Sequence, residues 1–213
     1  MKKDTRLILA MDVSSGEQAL CLAHLLEGCF DAIKIGYPLI LSAGIGIIEE
    51  ISADASVIAD LKIADIPNTN RLICEAVLEK GASAVIAHAF PGRDSLQACA
   101  DCVKDYGADL FVVTEMSHPG AKEFMGPLAQ DLAQLAVLVD AAGVVAPATR
   151  PERIKLVRSV IGDRMIISPG VGAQGGSALS AILAGADYLI VGRSIIHADN
   201  PREKAESIIS EIS

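Results

Sequence analysis

The 213 residues are 51% hydrophobic yet only 3% aromatic and contain no Trp, so the core is built from Ile, Leu, Val and Ala, a composition suited to parallel sheet covered by helices. A net charge of -9 argues against a nucleic-acid backbone or an anionic membrane as partner, while a small phosphorylated molecule needs only a local site. Five cysteines in a chain this long do not make a disulfide framework, and Cys99-Ala100-Asp101-Cys102 lacks the second pair of a zinc or redox motif.

The chain opens with Met1-Lys2-Lys3 and an apolar run from Leu7 that stops at Asp12, too short for a secretory signal. No stretch is long enough to span a membrane, and a cytoplasmic protein is expected. Apolar β-type runs then alternate with helical patterns. The runs are Leu7–Val13, Ala32–Tyr37, Val57–Ile63, Ala84–Phe90, Leu110–Glu115, Gly143–Thr149, Met165–Val171 and Tyr188–Arg193. Helix starts lie between them. Ser14-Ser15-Gly16-Glu17 reads as a capping box with Ser14 at the cap. Pro67 suits a first helical turn, where its missing N–H costs nothing. Thr149-Arg150-Pro151-Glu152 and Asn200-Pro201-Arg202-Glu203 combine both devices.

Strand–helix alternation implies right-handed βαβ units and a parallel sheet. Eight units predict an α/β fold, a closed (β/α)8 TIM barrel forming one domain over residues 1–213. An open doubly wound sheet is the alternative, but the first turn, Asp12-Val13-Ser14-Ser15-Gly16, lacks its Gly-rich fingerprint.

In such a barrel the chemistry sits at the C-terminal ends of the strands. Side chains on a strand alternate between faces. Asp12 therefore shares a side with Ile8 and Ala10, and Lys34 faces inward between Ile33 and Ile35. Asp60 and Lys62 face inward together, away from Ala59, Leu61 and Ile63. The predicted result is a cluster of Asp12, Lys34, Asp60 and Lys62, alternating in sign, at the barrel mouth, with Asp65 just beyond the third strand. Buried charges are costly unless paired or useful. One ion pair could be structural; four inward charges from three neighbouring strands point to function.

The opposite side of the mouth reads as a phosphate site. Ser168-Pro169-Gly170-Val171-Gly172-Ala173-Gln174-Gly175-Gly176 follows the seventh strand. Its glycines let backbone N–H groups approach an anion, and the next helix adds its positive end. Gly192-Arg193-Ser194 follows the eighth, where a guanidinium can grip phosphate by two bonds. Loops after strands seven and eight are the usual phosphate position in these barrels. After the fifth strand, Thr114-Glu115-Met116-Ser117-His118-Pro119-Gly120 is polar and long enough to reach over a ligand. Ser117 is its better ligand candidate and His118 the weaker. His88 lies within the fourth strand and reads as a core histidine. His24 and His197 complete no metal-ligand spacing.

On these residues the chain resembles the orotidine 5′-phosphate decarboxylases over essentially its whole length. The most specific match is the D-x-K-x-x-D pattern Asp60-Leu61-Lys62-Ile63-Ala64-Asp65. Leu9-Ala10-Met11-Asp12, Lys34-Ile35-Gly36-Tyr37-Pro38 and the two long loops quoted above are similar to the shorter, archaeal-type branch. The resemblance implies decarboxylation of orotidine 5′-monophosphate to UMP, the last step of UMP synthesis, without metal or organic cofactor. It implies that Asp60 lies beside the substrate carboxylate and that Lys62 donates the proton to carbon 6. Asp12 and Lys34 would hold the ribose hydroxyls and the charge network. Ser117 would contact the pyrimidine. Gln174 and Arg193 would bind the phosphate, with Pro169, Gly170 and Gly192 in the same substrate-binding loops. Asp65 and Thr69 would complete the site of the partner in a functional homodimer.

Three other readings are open to the residues. Sugar-phosphate decarboxylases and hexulose-phosphate synthases use a similar core with magnesium, but offer a Glu where this chain has Lys34. A Schiff-base aldolase would use Lys62 as its amine, an arrangement that carboxylates on both sides do not favour. A non-catalytic phosphate-ligand binding protein would have no need of an acid beside its ligand.

Overall fold

A computed structural model describes residues 3–213; Met1 and Lys2 lie outside them. Eight strands, β1 Leu7–Ala10, β2 Ala32–Gly36, β3 Val57–Ile63, β4 Ala84–His88, β5 Asp109–Val113, β6 Gly143–Val145, β7 Met165–Pro169 and β8 Tyr188–Val191, pair in chain order as a closed parallel barrel. The ring is sealed by β1 against β8, with Leu7 opposite Leu189, Ile8 opposite Ile190 and Leu9 opposite Val191. All eight expected runs are strands. Most end earlier than the apolar run does, because the chain leaves the ladder at the barrel mouth. Asp12, Thr114 and Arg193 all lie in these departures.

The helices are α1 Gly16–Leu25, α2 Tyr37–Ala43, α3 Ile47–Ser52, α4 Pro67–Leu78 and α5 Arg93–Asp105. They continue as α6 Ala121–Leu138, α7 Pro151–Ile161, α8 Ala178–Leu183, α9 Arg193–Ile196 and α10 Pro201–Ile212. Pro67, Pro151 and Pro201 each open a helix, as expected. Asn200 caps α10 by accepting the Glu203 N–H at 3.2 Å. Two expected caps differ. Ser15 rather than Ser14 caps α1, accepting from Gln18 N at 3.3 Å, because the overlapping Ser-x-x-Gln frame serves equally well. Thr149 does not cap α7; its hydroxyl turns to the Ser117 carbonyl at 3.1 Å. None of the helices among the described residues is long and apolar enough to cross a membrane.

Both faces of the strands are buried, and alternation divides the core in two. Ile8, Ala32, Ile58, Ile86, Phe111, Ile167 and Tyr188 fill the barrel interior. Leu7, Leu9, Ile33, Ile35, Val57, Ala59 and Ile63 pack outward against the helices. Gly143 makes room for Phe111: an added Cβ would lie 2.8 Å from the ring and 2.3 Å from the Met165 carbonyl. At the end opposite the mouth, Asp187 accepts from Lys3 Nζ at 2.7 Å, from Ile166 N at 2.9 Å and from Arg158. Polar anchors at that end of a barrel serve stability.

Candidate active site

The inward charges meet as the strand period requires. Lys34 stands beside Ala10 on one side and Ile58 on the other, and Gly36 stands beside Asp60. Lys34 Nζ lies 3.5 Å from Asp12 Oδ1 and 2.9 Å from Asp60 Oδ2. Lys62 Nζ lies 2.8 Å from Asp60 Oδ1 and 2.9 Å from Oδ2. The row Asp12, Lys34, Asp60, Lys62 thus alternates in sign across β1, β2 and β3. Lys34 and Asp60 are buried, whereas the Lys62 side chain is 35% exposed and faces the opening.

The buried pair is stabilised in its charged form. For Lys34, burial alone would lower the pKa, but the carboxylates of Asp60 and Asp12 more than offset this and hold the ammonium above its ordinary value. For Asp60, burial would raise the pKa, and the ammoniums of Lys34 and Lys62 outweigh it and keep the carboxyl below the usual range. Asp60 is therefore an ionised carboxylate at neutral pH, fixed by two lysines.

The cluster forms one wall of a cavity of about 770 Å³, with Ser117, Pro169, Gly170, Gln174, Gly192 and Arg193 on the other side. The loop after β7 folds on itself through Gly175 N to Gly172 O at 2.7 Å and Gly176 N to Gly170 O at 3.0 Å. Gly170 adopts φ +106, and a Cβ there would press on Thr149 and Ser117 at 2.9 and 3.1 Å. The next helix, α8, has six residues, and Ser177 already takes its Ser180 N–H at 3.2 Å. The positive character of this wall therefore comes from Arg193 and the loop rather than from a helix end.

Two expected site residues are not in this cavity. Asp65 is exposed beyond β3, its carboxylate accepting from Ile66 N at 2.7 Å, and Thr69 lies on the first turn of α4. Asn70 and Ser95, both buried, hold the Asp65 backbone: Asp65 N donates to Asn70 Oδ1 at 2.9 Å and Ser95 Oγ donates to Asp65 O at 2.7 Å.

The sequence reading passed over several residues at the mouth. Thr149-Arg150 was legible only as a helix start, yet Arg150 lines the cavity. Its Nε meets the fully buried Glu115 at 3.0 Å, Arg153 meets the same carboxylate at 2.6 Å, and Arg150 also donates to the carbonyls of Met116 and Ser117. This network fixes the Ser117 loop. Lys122 adds a further cation to the cavity rim.

His88 is buried as expected, but on the barrel-interior face at the end of β4, and its Nδ1 has no hydrogen-bond partner among the described residues. Burial, then the nearby Lys62 ammonium, push its pKa down to about 4 against a smaller opposing pull from Asp60. The unfolded imidazole titrates near about 6.5. As pH falls, the unfolded chain takes up this proton first, so stability present above about pH 6.5 is lost on the way to about 4. His88→Gln is expected to flatten the fall of melting temperature over that window. A slope equal to that of the wild type would remove His88 as its source.

Comparison with known proteins identifies the family. The model of the orotidine 5′-phosphate decarboxylase / HUMPS family matches residues 5–208. The chain belongs to this family. It is 55% identical to an orotidine 5′-phosphate decarboxylase of Methanococcoides burtonii over the full length of both chains, and 57% identical to that of Methanosarcina acetivorans over 100% of this chain and 96% of the relative. Among solved structures, the orotidine 5′-monophosphate decarboxylase of Methanocaldococcus jannaschii, complexed with inhibitor BMP, superposes with a TM-score of 0.93 at 41% identity, covering 97% of this chain and 98% of that one. The Pyrococcus horikoshii enzyme gives 0.89 at 46% identity, with the same coverage. The family description also names the HUMPS branch. Within that breadth, Lys34 matters: every carboxylate in this row is already engaged by a lysine.

Proposed function

We propose that the chain converts orotidine 5′-monophosphate to UMP and CO2 without metal or organic cofactor, with Lys62 delivering a proton to carbon 6 of the pyrimidine. The observation that carries this reading is the Asp60–Lys62 pair at the cavity wall, backed by buried Lys34. The bond from carbon 6 to the carboxylate breaks, its electron pair stays on carbon 6, and CO2 leaves. An N–H of Lys62 then protonates that carbon, leaving a neutral amine. Unit charges about 4 Å apart interact by about 4 kcal/mol at an effective dielectric near 20. Acting only in the transition state, that is worth roughly three powers of ten in rate. Positioning by the phosphate, remote from the reacting carbon, supplies a further part.

The substrate is a multiply charged anion and the chain is net -9, so attraction must be local. The Asp12, Lys34, Asp60, Lys62 row is balanced in charge, so the excess comes from Lys122 and Arg193 on the cavity wall and from Arg150 and Arg153 sharing the single Glu115 carboxylate. Arg193→Ala is expected to weaken UMP by roughly a hundredfold while changing uridine less than about threefold, as loss of a charge-assisted phosphate contact requires. Equal loss for both in paired titrations would move the phosphate site elsewhere.

A homodimer completes the reading. Asp65 and Thr69 do not line their own cavity, and Tyr37, Ile66 and Phe90 beside the mouth are more than half exposed, as an uncovered subunit interface would be. All five cysteines are free thiols, which fits a reducing, cytoplasmic setting.

The direct test follows the ultraviolet absorbance of orotidine 5′-monophosphate with enzyme pretreated with chelator. Fast conversion to UMP supports the reading. No conversion, with turnover of a sugar phosphate on adding magnesium, would overturn it in favour of the magnesium-dependent reaction.

A further inference from the structure

Lys62 has φ +45, a left-handed backbone that side-chain-bearing residues seldom adopt. It lies inside β3, where the pairing with β4 slips between Ala59 and Ile63. Such a conformation persists only where the surroundings over-determine it. The peptide immediately before Lys62 has a specific holder: the Tyr37 hydroxyl donates to the Leu61 carbonyl at 2.6 Å. Tyr37 follows Gly36, the last residue of β2. Gly36 borders the charge row, where an added Cβ would stand at contact distance, 3.5 Å from Asp12 Oδ1 and 3.7 Å from Lys34 Nζ. Tyr37, the first residue of α2, thus stands next to the charge row while its hydroxyl reaches β3.

We infer that Tyr37 is a positioning residue for Lys62, fixing the Leu61–Lys62 peptide in the turn that presents the ammonium to both oxygens of Asp60 and to the cavity. This rests on Lys62 being the proton donor. Without the hydroxyl, the peptide is free to relax toward ordinary strand geometry, and the ammonium leaves its place. The ring belongs to the face proposed above as the subunit interface and is 52% exposed in the single chain, so the hydroxyl alone is assigned to the positioning of Lys62.

Tyr37→Phe removes that hydroxyl alone. Losing one neutral hydrogen bond that acts on the transition state should lower kcat by about tenfold. The KM and the affinity for UMP should stay within about twofold, because the lost bond orients the reacting group rather than the ligand. Ser42→Ala is the control: that hydroxyl also lies on α2 but, among the described residues, bonds to Pro38 O and Leu39 O within its own helix, and kcat should not change. Melting temperature and sedimentation are read on the same samples. A wild-type kcat in Tyr37→Phe, with Lys62→Ala inactive, overturns the inference and leaves the role of Lys62 standing. A fall in kcat accompanied by an equal rise in KM, a lower melting temperature or an altered oligomeric state also overturns it, since the role would then be structural. Near-normal turnover in Lys62→Ala removes both the donor assignment and the inference built on it.

Discussion

Lys62→Ala is expected to lower the rate of decarboxylation by at least about five powers of ten, three from the lost cation beside the developing carbanion and two or more from the lost general acid. UMP should still bind, because the phosphate wall with Arg193 and the Ser117 loop is built independently of β3. The fold should also persist. Asp60 keeps Lys34 at 2.9 Å, so truncation of Lys62 does not leave a buried carboxylate alone, the circumstance that makes removal of a buried partner so destabilising. Single-turnover rates combined with UMP titration give the decisive pair of numbers. Near-normal turnover would remove Lys62 from the donor role, and loss of binding and turnover together would mean that the variant had damaged the site as a whole.

The second large effect is recovery on mixing. Asp65→Asn and Lys62→Ala homodimers should each be nearly inactive. If each site takes Lys62 from one subunit and Asp65 from the other, a heterodimer of the two carries one intact site and one doubly altered site. Random exchange makes half of the dimers heterodimers, so about a quarter of wild-type activity should return. Subunit exchange is verified by differential tagging before the assay. Verified heterodimers without recovery would mean that Asp65 serves its own chain or no site. The exposed position of Asp65, outside its own cavity and with its backbone pinned by Asn70 and Ser95, is what an arm reaching into another subunit needs.

The barrel was legible because buried strands and helices carry different periods, and those periods survive without an alignment. The charge row was legible for the same reason. Period two puts Ile58, Asp60 and Lys62 on one face, and parallel pairing without crossovers puts Lys34 next to them. Other features depend on contacts that no local pattern encodes. The Glu115 carboxylate finds Arg150 and Arg153 across two loops, so Thr149-Arg150 showed only its propensity to start a helix. The left-handed turn at Lys62 was hidden because the contact beside it, the Tyr37 hydroxyl on the Leu61 carbonyl, arrives from the start of α2. The cap of α1 moved by one residue because two overlapping frames offered nearly equal hydrogen bonds. For His88, burial followed from the sequence, whereas the face and its charged neighbours followed from barrel closure.

That closure has a dynamic consequence. The lysine–carboxylate row comes from β1 to β3 and the proposed phosphate grip from the loops after β7 and β8, so the two halves of the site lie at opposite ends of the chain. They become neighbours only across the seam where Leu7, Leu9 and Ile8 meet Leu189, Val191 and Ile190. At that seam Gly192 lets the strands close tightly; an added Cβ would come within 3.0 Å of Ala10. A bound nucleotide spanning both halves acts as a clasp on the seam. It penalises sub-global openings that part the first strand from the last, while leaving openings elsewhere in the ring nearly as frequent as before. Substrate affinity in this fold is therefore in part a report on how often the ring is shut.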